Sequence, residues 1–342
     1  MLPLSLGAWQ PATRTHGGCG RSVGFRRSPV RRVVLFVLAL IGLIGVSSPA
    51  AAQPQVDSSF SDTILSTLGY PEVEISVGPE GVTAPSTLPA GTYLIRFSSA
   101  SGYSGYLNFM QPPAGLSPEE ETQLALAAAS EDLVQEGWVY AGGNNTFIDN
   151  VPVSFLIDLA PGEYRVAASY YVPDEGSEEI MELLPLTVTA EGTPSASPVA
   201  SPSASPVAGT EPPSSVTLEM TDDLRYKVSP DPLPAGPQLW KLTNTGVGMS
   251  HHTVMVRIPD TVTADQIVAE FNAMMSGTPP AGEPVMAQFT FVGYAALQSG
   301  GQTTWVGFDL NPGTYAVICY IIDPMTGRPH IADGMVTTFT VA

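Results

Sequence analysis

Two passages of this 342-residue chain are each written twice, and an internal repeat restricts the fold more tightly than any local propensity. Leu88-Pro-Ala-Gly-Thr-Tyr-Leu-Ile-Arg-Phe97 matches Leu233-Pro-Ala-Gly-Pro-Gln-Leu-Trp-Lys-Leu242. Asp158-Leu-Ala-Pro-Gly-Glu-Tyr-Arg-Val166 matches Asp309-Leu-Asn-Pro-Gly-Thr-Tyr-Ala-Val317. Between the copies, residues 191–215 are almost entirely Pro, Ser, Ala, Val, Thr and Gly, with Ser-Ala-Ser-Pro-Val-Ala repeated. Such a tract cannot bury apolar surface and reads as an extended, semi-rigid spacer. Two domains are therefore expected, 57–190 and 216–342, each long enough for a core of its own.

The local signals within each copy are mostly those of strands. β-branched and aromatic runs bounded by Pro-Gly or Asn/Asp fall at 72–77, 92–98, 151–159 and 163–171, and again at 216–220, 252–258, 303–310 and 314–322. Each copy also carries one helix signal. Ser117-Pro-Glu-Glu120 and Thr263-Ala-Asp-Gln266 have capping-box spacing, followed by Leu124, Leu126 and Leu133 in one copy and Ile267, Phe271 and Met274 in the other. The expected fold class is all-β: two Greek-key β-sandwiches, each with one inserted helix, joined by the Pro/Ser/Ala linker.

Residues 1–52 hold six of the thirteen Lys+Arg and no acid, and they lead into the apolar run 33–46. That run is shorter than the ~20 residues a bilayer span requires. With Ala50-Ala51-Ala52 behind it, the segment reads as a secretory signal peptide cleaved near Ala52. Arg31-Arg32 is a weak pointer to the twin-arginine route, and no cysteine sits at the cleavage site to support a lipid anchor. The expectation is export, to a periplasmic, cell-surface or extracellular location, with no membrane span in the mature chain.

Beyond residue 52 the chain has seven basic residues against 32 acidic ones, so its mature part is more acidic still than the −19 of the whole. Nucleic acid and anionic lipid are built against by such a surface, since both are bound by clustered basic charge. Cys19 leaves with the signal, and the mature chain keeps a single cysteine, Cys319, which must be an inert buried thiol, an intermolecular disulfide or a metal ligand.

Cys319 is followed by ten residues, then His330, then four residues and Met335; upstream lies the pair His251-His252. Thiolate, imidazole and thioether together suit copper, the sulfur ligands favouring Cu(I) and the imidazoles accepting both oxidation states. Asp323-Pro-Met-Thr-Gly327 has turn composition, and a hairpin centred between Pro324 and Met325 would set 319 opposite 330. Gly334 could then let Met335 return toward the same point. For the upstream ligand, strand parity with Val254, Val256 and Ile258 favours His252 as the inward residue. The first copy carries none of this set: it has Tyr106-Leu107 in place of the histidine pair and Ala168 in place of Cys319. A fold of this kind therefore does not need these residues for packing.

Residues 216–342 resemble the cupredoxin (type 1 blue-copper) superfamily, in particular exported bacterial cupredoxin-like proteins with an upstream His, a Pro-Gly-Thr-Tyr-x-x-x-Cys strand and a Gly-x-Pro-His-x4-Met ending, here Gly327-Arg-Pro-His330-Ile-Ala-Asp-Gly-Met335. The resemblance implies one copper ion in the C-terminal domain, with Cys319, His330 and one of His251 or His252 as equatorial ligands and Met335 axial. The family's Pro-His pattern aligns that upstream ligand with His251. The loop between Cys319 and His330 is longer than the family's short one. The resemblance further implies a one-electron carrier with a redox protein partner and no enzymatic activity. Copper capture or storage without redox turnover, and metal-free sandwich modules for adhesion or partner binding, are the alternatives. Other chemistries lack their motifs: there is no phosphate-cradling glycine loop, no Cys-x-x-Cys and no His-Glu-x-x-His.

Overall fold

The structure, a computed structural model, describes residues 64–100, 104–131, 133–146, 151–171, 179–190, 211–278 and 282–342. The expected signal peptide and most of the expected linker lie outside the described residues. The first half contributes β1 (Glu72–Gly78), β2 (Gly81–Thr83), β3 (Thr87–Pro89), β4 (Gly91–Ser99), β5 (Ser104–Gln111), α1 (Pro118–Glu131), β6 (Val139–Asn145), β7 (Val153–Leu159), β8 (Gly162–Tyr171) and β9 (Glu179–Thr189). The second contributes β10 (Val216–Thr221), β11 (Arg225–Ser229), β12 (Gly236–Asn244), β13 (His251–Ile258), α2 (Ala264–Met275), the 3₁₀ turn η1 (Val285–Gln288), β14 (Thr290–Gln298), β15 (Thr303–Leu310), β16 (Gly313–Ile318), the 3₁₀ turn η2 (His330–Asp333) and β17 (Val336–Val341).

The halves repeat the same pairings. β1 runs parallel to β4 as β10 does to β12, β4 is antiparallel to β7 as β12 is to β15, and β5 lies between β6 and β8 as β13 lies between β14 and β16. All-β sandwich architecture is thus what the alternating, turn-punctuated sequence folds into. Strand β10 shows the pattern plainly: Val216, Leu218 and Met220 are buried while the residues between them are half-exposed.

Strands of the two halves share both sheets. Strands order as β11-β10-β12-β15-β7-β4-β1-β2 in one sheet and β17-β16-β13-β14-β6-β5-β8-β9-β3 in the other, so both sheets run unbroken through the molecule. At the seam Phe155 pairs with Val306, and each stands three residues before its copy of the repeated Asp-Leu-x-Pro-Gly turn, a local two-fold relation. Asn108 Nδ2 donates across the seam to the Leu297 carbonyl (3.2 Å), and Tyr140 and Ser299 exchange two bonds at 2.8 and 3.0 Å. Gly142 is required there: its φ is +115°, and a Cβ would stand 2.4 Å from Thr304 Cγ2.

Both capping boxes form. Ser117 and Thr263 each accept a backbone N–H from Glu120 and Gln266, whose side chains reach back to the cap N–H groups. α2 packs on the outer face of the nine-stranded sheet, where Ile267 and Phe271 meet Val254, Val256, Ile258, Ala316, Ile318 and Tyr320. This gives the C-terminal half two cores: the sandwich interior, with Trp240, Met255, Val317, Cys319 and Met335, and a second layer under α2. β13 and β16 lie between them and are buried on both faces.

Candidate metal centre

Three segments of the C-terminal half deliver the site. His251 opens β13, Cys319 directly follows β16, and His330 opens η2 after Pro329. The antiparallel register of β13 with β16, Val254 against Ile318, places His251 one diagonal step from Cys319 on the interior face. The ligand atoms of His251, Cys319 and His330 all lie within 4.8 Å of one another, and all three residues are buried. His251 Nδ1 stands 3.1 Å from His330 Nδ1, which stands 3.5 Å from Cys319 Sγ.

His330 arrives by a different register from the one the sequence suggested. The expected hairpin, centred between Pro324 and Met325, set it opposite Cys319; the observed bridge joins Ile322 to Pro329, and the His330 N–H bonds the Ile321 carbonyl (2.9 Å). The turn is centred one residue later, between Met325 and Thr326, and Asp323 organises it, accepting from Met325 N (2.7 Å) and Thr326 Oγ1 (3.0 Å) while its carbonyl accepts from Gly327 N (2.8 Å). Since the shift keeps the same face, His330 still reaches the thiol, now diagonally. α2 braces the far side of this loop, Asn272 Nδ2 donating to the Ala332 carbonyl (2.9 Å). From the other half, Leu133 bridges to Ile322.

His252 does not join the cluster, and the parity reading is corrected. That reading grouped His252 properly with Val254, Val256 and Ile258, but their face looks onto α2, a second core that strand alternation alone does not reveal. His252 Nε2 accepts the backbone N–H of Tyr320 (2.8 Å), so a neutral ring carries its proton on Nδ1, 3.4 Å from Tyr294 Oη. Met335 is fully buried in the interior core with Cys319. Its carbonyl accepts from Cys319 N (3.2 Å) and its N–H donates to the His330 carbonyl (2.9 Å), the chain having turned at Gly334 with φ +100°. Met335 is thereby tied by backbone to two of the three clustered residues.

Sequence reasoning missed two supporting residues. Asp222 accepts from the N–H groups of Val247 (2.8 Å), Gly248 (3.1 Å) and Met249 (3.1 Å), fixing the loop that delivers His251. Burial would raise its pKa, but these three donors outweigh that and hold it below the usual carboxylate range. Tyr226 on β11, also buried, donates its hydroxyl to the His252 carbonyl and lies within hydrogen-bonding reach of the Cys319 thiol. Neither residue has a sequence signal, because each acts through a strand remote in the chain.

Burial dominates the electrostatics. His251 is pushed down to about 4 by desolvation and then by His330 beside it; His330 is also lowered by burial. Burial pushes the Cys319 thiol up to about 11. At neutral pH both clustered imidazoles are neutral and the thiol keeps its proton, which a metal would displace. The donor set fits a small thiophilic ion: contacts of roughly 2.0–2.3 Å around one centre put donors roughly 3.5–4 Å apart, close to the spacing observed. His251 presents Nδ1 to the cluster, 3.1 Å from the His330 ring nitrogen, and two neutral imidazoles and a thiol are donor types that such an ion takes.

No protein-family model matches the chain, and no curated protein sequence matches it. Among solved structures it is similar to the dithionite-reduced auracyanin of the photosynthetic bacterium Roseiflexus castenholzii, at 26% identity over 38% of this chain and 99% of that one, TM-score 0.25. Auracyanin A, a "blue" copper protein from the green thermophilic photosynthetic bacterium Chloroflexus aurantiacus, matches at 22% identity over 37% and 98%, TM-score 0.24. A multi-copper oxidase from Pediococcus acidilactici matches at 12% identity over 81% of this chain and 61% of that one, TM-score 0.21.

Proposed function

We propose that the chain is an exported, cupredoxin-like copper protein made of two tandem sandwiches, of which the C-terminal one holds a single copper ion and passes single electrons to and from a redox protein. The observation that carries this reading is the buried meeting of two imidazole nitrogens and one thiol sulfur within 4.8 Å. His251, Cys319 and His330 would hold the ion, and Met335, buried in the same core, would offer a thioether beside them. When bound, copper supplies a one-electron couple, Cu(I)/Cu(II), in a donor set acceptable to both states.

The residues around it supply rigidity. Asp222 fixes the His251 loop, Asp323 shapes the turn before His330, and His252 holds the strand that ends at Cys319, so the donors need not rearrange between oxidation states. With all three donors buried, electrons reach the centre by tunnelling and substrate molecules do not, which favours a carrier over an enzyme. The first sandwich, lacking every ligand, is a structural partner joined through both sheets. The basic, apolar, small-residue order of 1–52 supports export.

Titration of the metal-free protein with copper tests the reading. An intense thiolate-to-copper band in the visible at one equivalent supports it. Uptake without the band would favour capture or storage instead, and absence of stoichiometric uptake would reject both.

A further inference from the structure

A chain of rings leaves the back of the centre and crosses into the first half. Tyr320, next in sequence to Cys319, donates its N–H to His252 Nε2 (2.8 Å). The His252 ring meets Tyr294 at a centroid separation of 5.5 Å, with Nδ1 3.4 Å from the Tyr294 hydroxyl. Tyr294 in turn meets Tyr106 edge-on at 5.8 Å, and Tyr106 belongs to β5 of the other sandwich.

Strand β6 separates these two tyrosines, yet their rings touch. Tyr106 is in register with Asn145, and the pairing of Gln298 with Ala141 sets Tyr294 level with the same residue, so both rings close over one short side chain. Asn145 is buried accordingly, and its Nδ2 finds no polar acceptor. Tyr106 and Tyr294 are themselves half-buried, so the chain of contacts ends at the surface of the first half.

We propose that His252, Tyr294 and Tyr106 form an electron path between the C-terminal centre and the outer face of the N-terminal sandwich, giving the ligand-free half a role as the docking side for a one-electron carrier. This rests on the carrier reading. In each event one electron passes from the reduced centre to an acceptor at Tyr106: the centre is oxidised by one electron, the acceptor reduced by one, no bond changes and no proton moves. The rings bridge the gap and are not themselves oxidised.

The test uses the full chain, loaded with copper, reduced and mixed in stopped flow with tris(phenanthroline)cobalt(III), a cationic oxidant suited to so acidic a protein. Tyr106→Leu and Tyr294→Leu should each slow oxidation about tenfold, equivalent to about 1.4 kcal/mol of barrier, with the charge-transfer band and potential unchanged. Tyr106→Phe, which keeps the ring, should keep the rate. Unaltered rates in both leucine variants with an intact band would overturn the path and mean that electrons leave at the loop end, where Val247 and Met325 are exposed. In the metal-free protein Tyr294→Leu should change the ring-current shift of the His252 ring protons, to which the Tyr320 ring at 6.3 Å also contributes; no change would overturn the ring contact itself. That readout needs no metal, so the path and the carrier reading fail separately.

Discussion

His252 Nε2 accepts the backbone N–H of Tyr320 at 2.8 Å, so the histidine adjacent to the clustered His251 grips the strand that carries Cys319 from its opposite face. Neighbouring residues of one strand thus do two jobs, one facing the donor cluster and one fixing its scaffold. Substituting them should separate those jobs. His252→Ala leaves a buried N–H without an acceptor, at a cost of about 1–3 kcal/mol, to which lost packing against Tyr294 and Tyr320 adds. His251→Ala should abolish stoichiometric copper uptake with a smaller loss of stability, because its Nδ1 faces the donor cluster and accepts no backbone N–H as His252 Nε2 does. Urea unfolding of the metal-free variants beside copper titration reads both effects, and the reverse pattern would mean that the two roles have been exchanged.

Cys319→Ser should remove any visible thiolate band while the protein stays folded, the exchange being nearly isosteric. Met335→Leu should retain copper and shift its potential, since a weak thioether donor would tune the ion more than hold it. Survival of the band in the serine variant, or complete loss of copper in the leucine variant, would contradict the assigned donor set.

The metal-free protein should be most stable between about pH 6.5 and 9. His251 is lowered to about 4 and His252 to about 3 by burial, against 6.5 when unfolded, so the unfolded chain takes up protons that the folded one refuses. Stability therefore falls as pH drops from 6.5 toward 4 and below. On the alkaline side Cys319, raised to about 11 from 9.0, keeps its proton longer when folded, and stability falls as pH climbs through that interval. Denaturation midpoints measured across pH give the curve; an optimum below pH 5 would show that the imidazoles are not buried as described.

Much of this was legible in the sequence, for physical reasons that differ from residue to residue. Strands flanked by Pro-Gly turns and helices opened by Ser117 and Thr263 are set by local chemistry, and local chemistry is what a sequence displays. Cys319 and His330 stood out because soft ligands are rare in this chain. The identity of the upstream histidine was not readable from parity: alternation distinguishes two faces but does not say which one becomes the sandwich interior when α2 buries the other. Asp222 and Tyr226 were invisible because their partners lie 25 or more residues away. The merging of the sheets had no local signal either, since the seam strands β7 and β15 read like any other buried strands.

That seam decides what the halves do apart. A spacer of Pro, Ser and Ala suggests two modules that separate freely, whereas β14 and β15 of the second half complete their ladders on β6 and β7 of the first. A chain of residues 211–342 would expose both strands as open edges, each a template for further pairing. Because Phe155 and Val306 are repeat-equivalent and pair with one another, the seam is nearly self-complementary, and a second copy can supply what the first half supplied. The fragment should therefore form a dimer through β14 and β15, with one copper per protomer, and Val306→Lys, which buries a charge at its centre, should prevent dimer formation. Sedimentation with copper titration tests this: a monomeric fragment with a full metal site would show that the first half is dispensable to the fold, and a lysine variant that still dimerises would place the contact elsewhere.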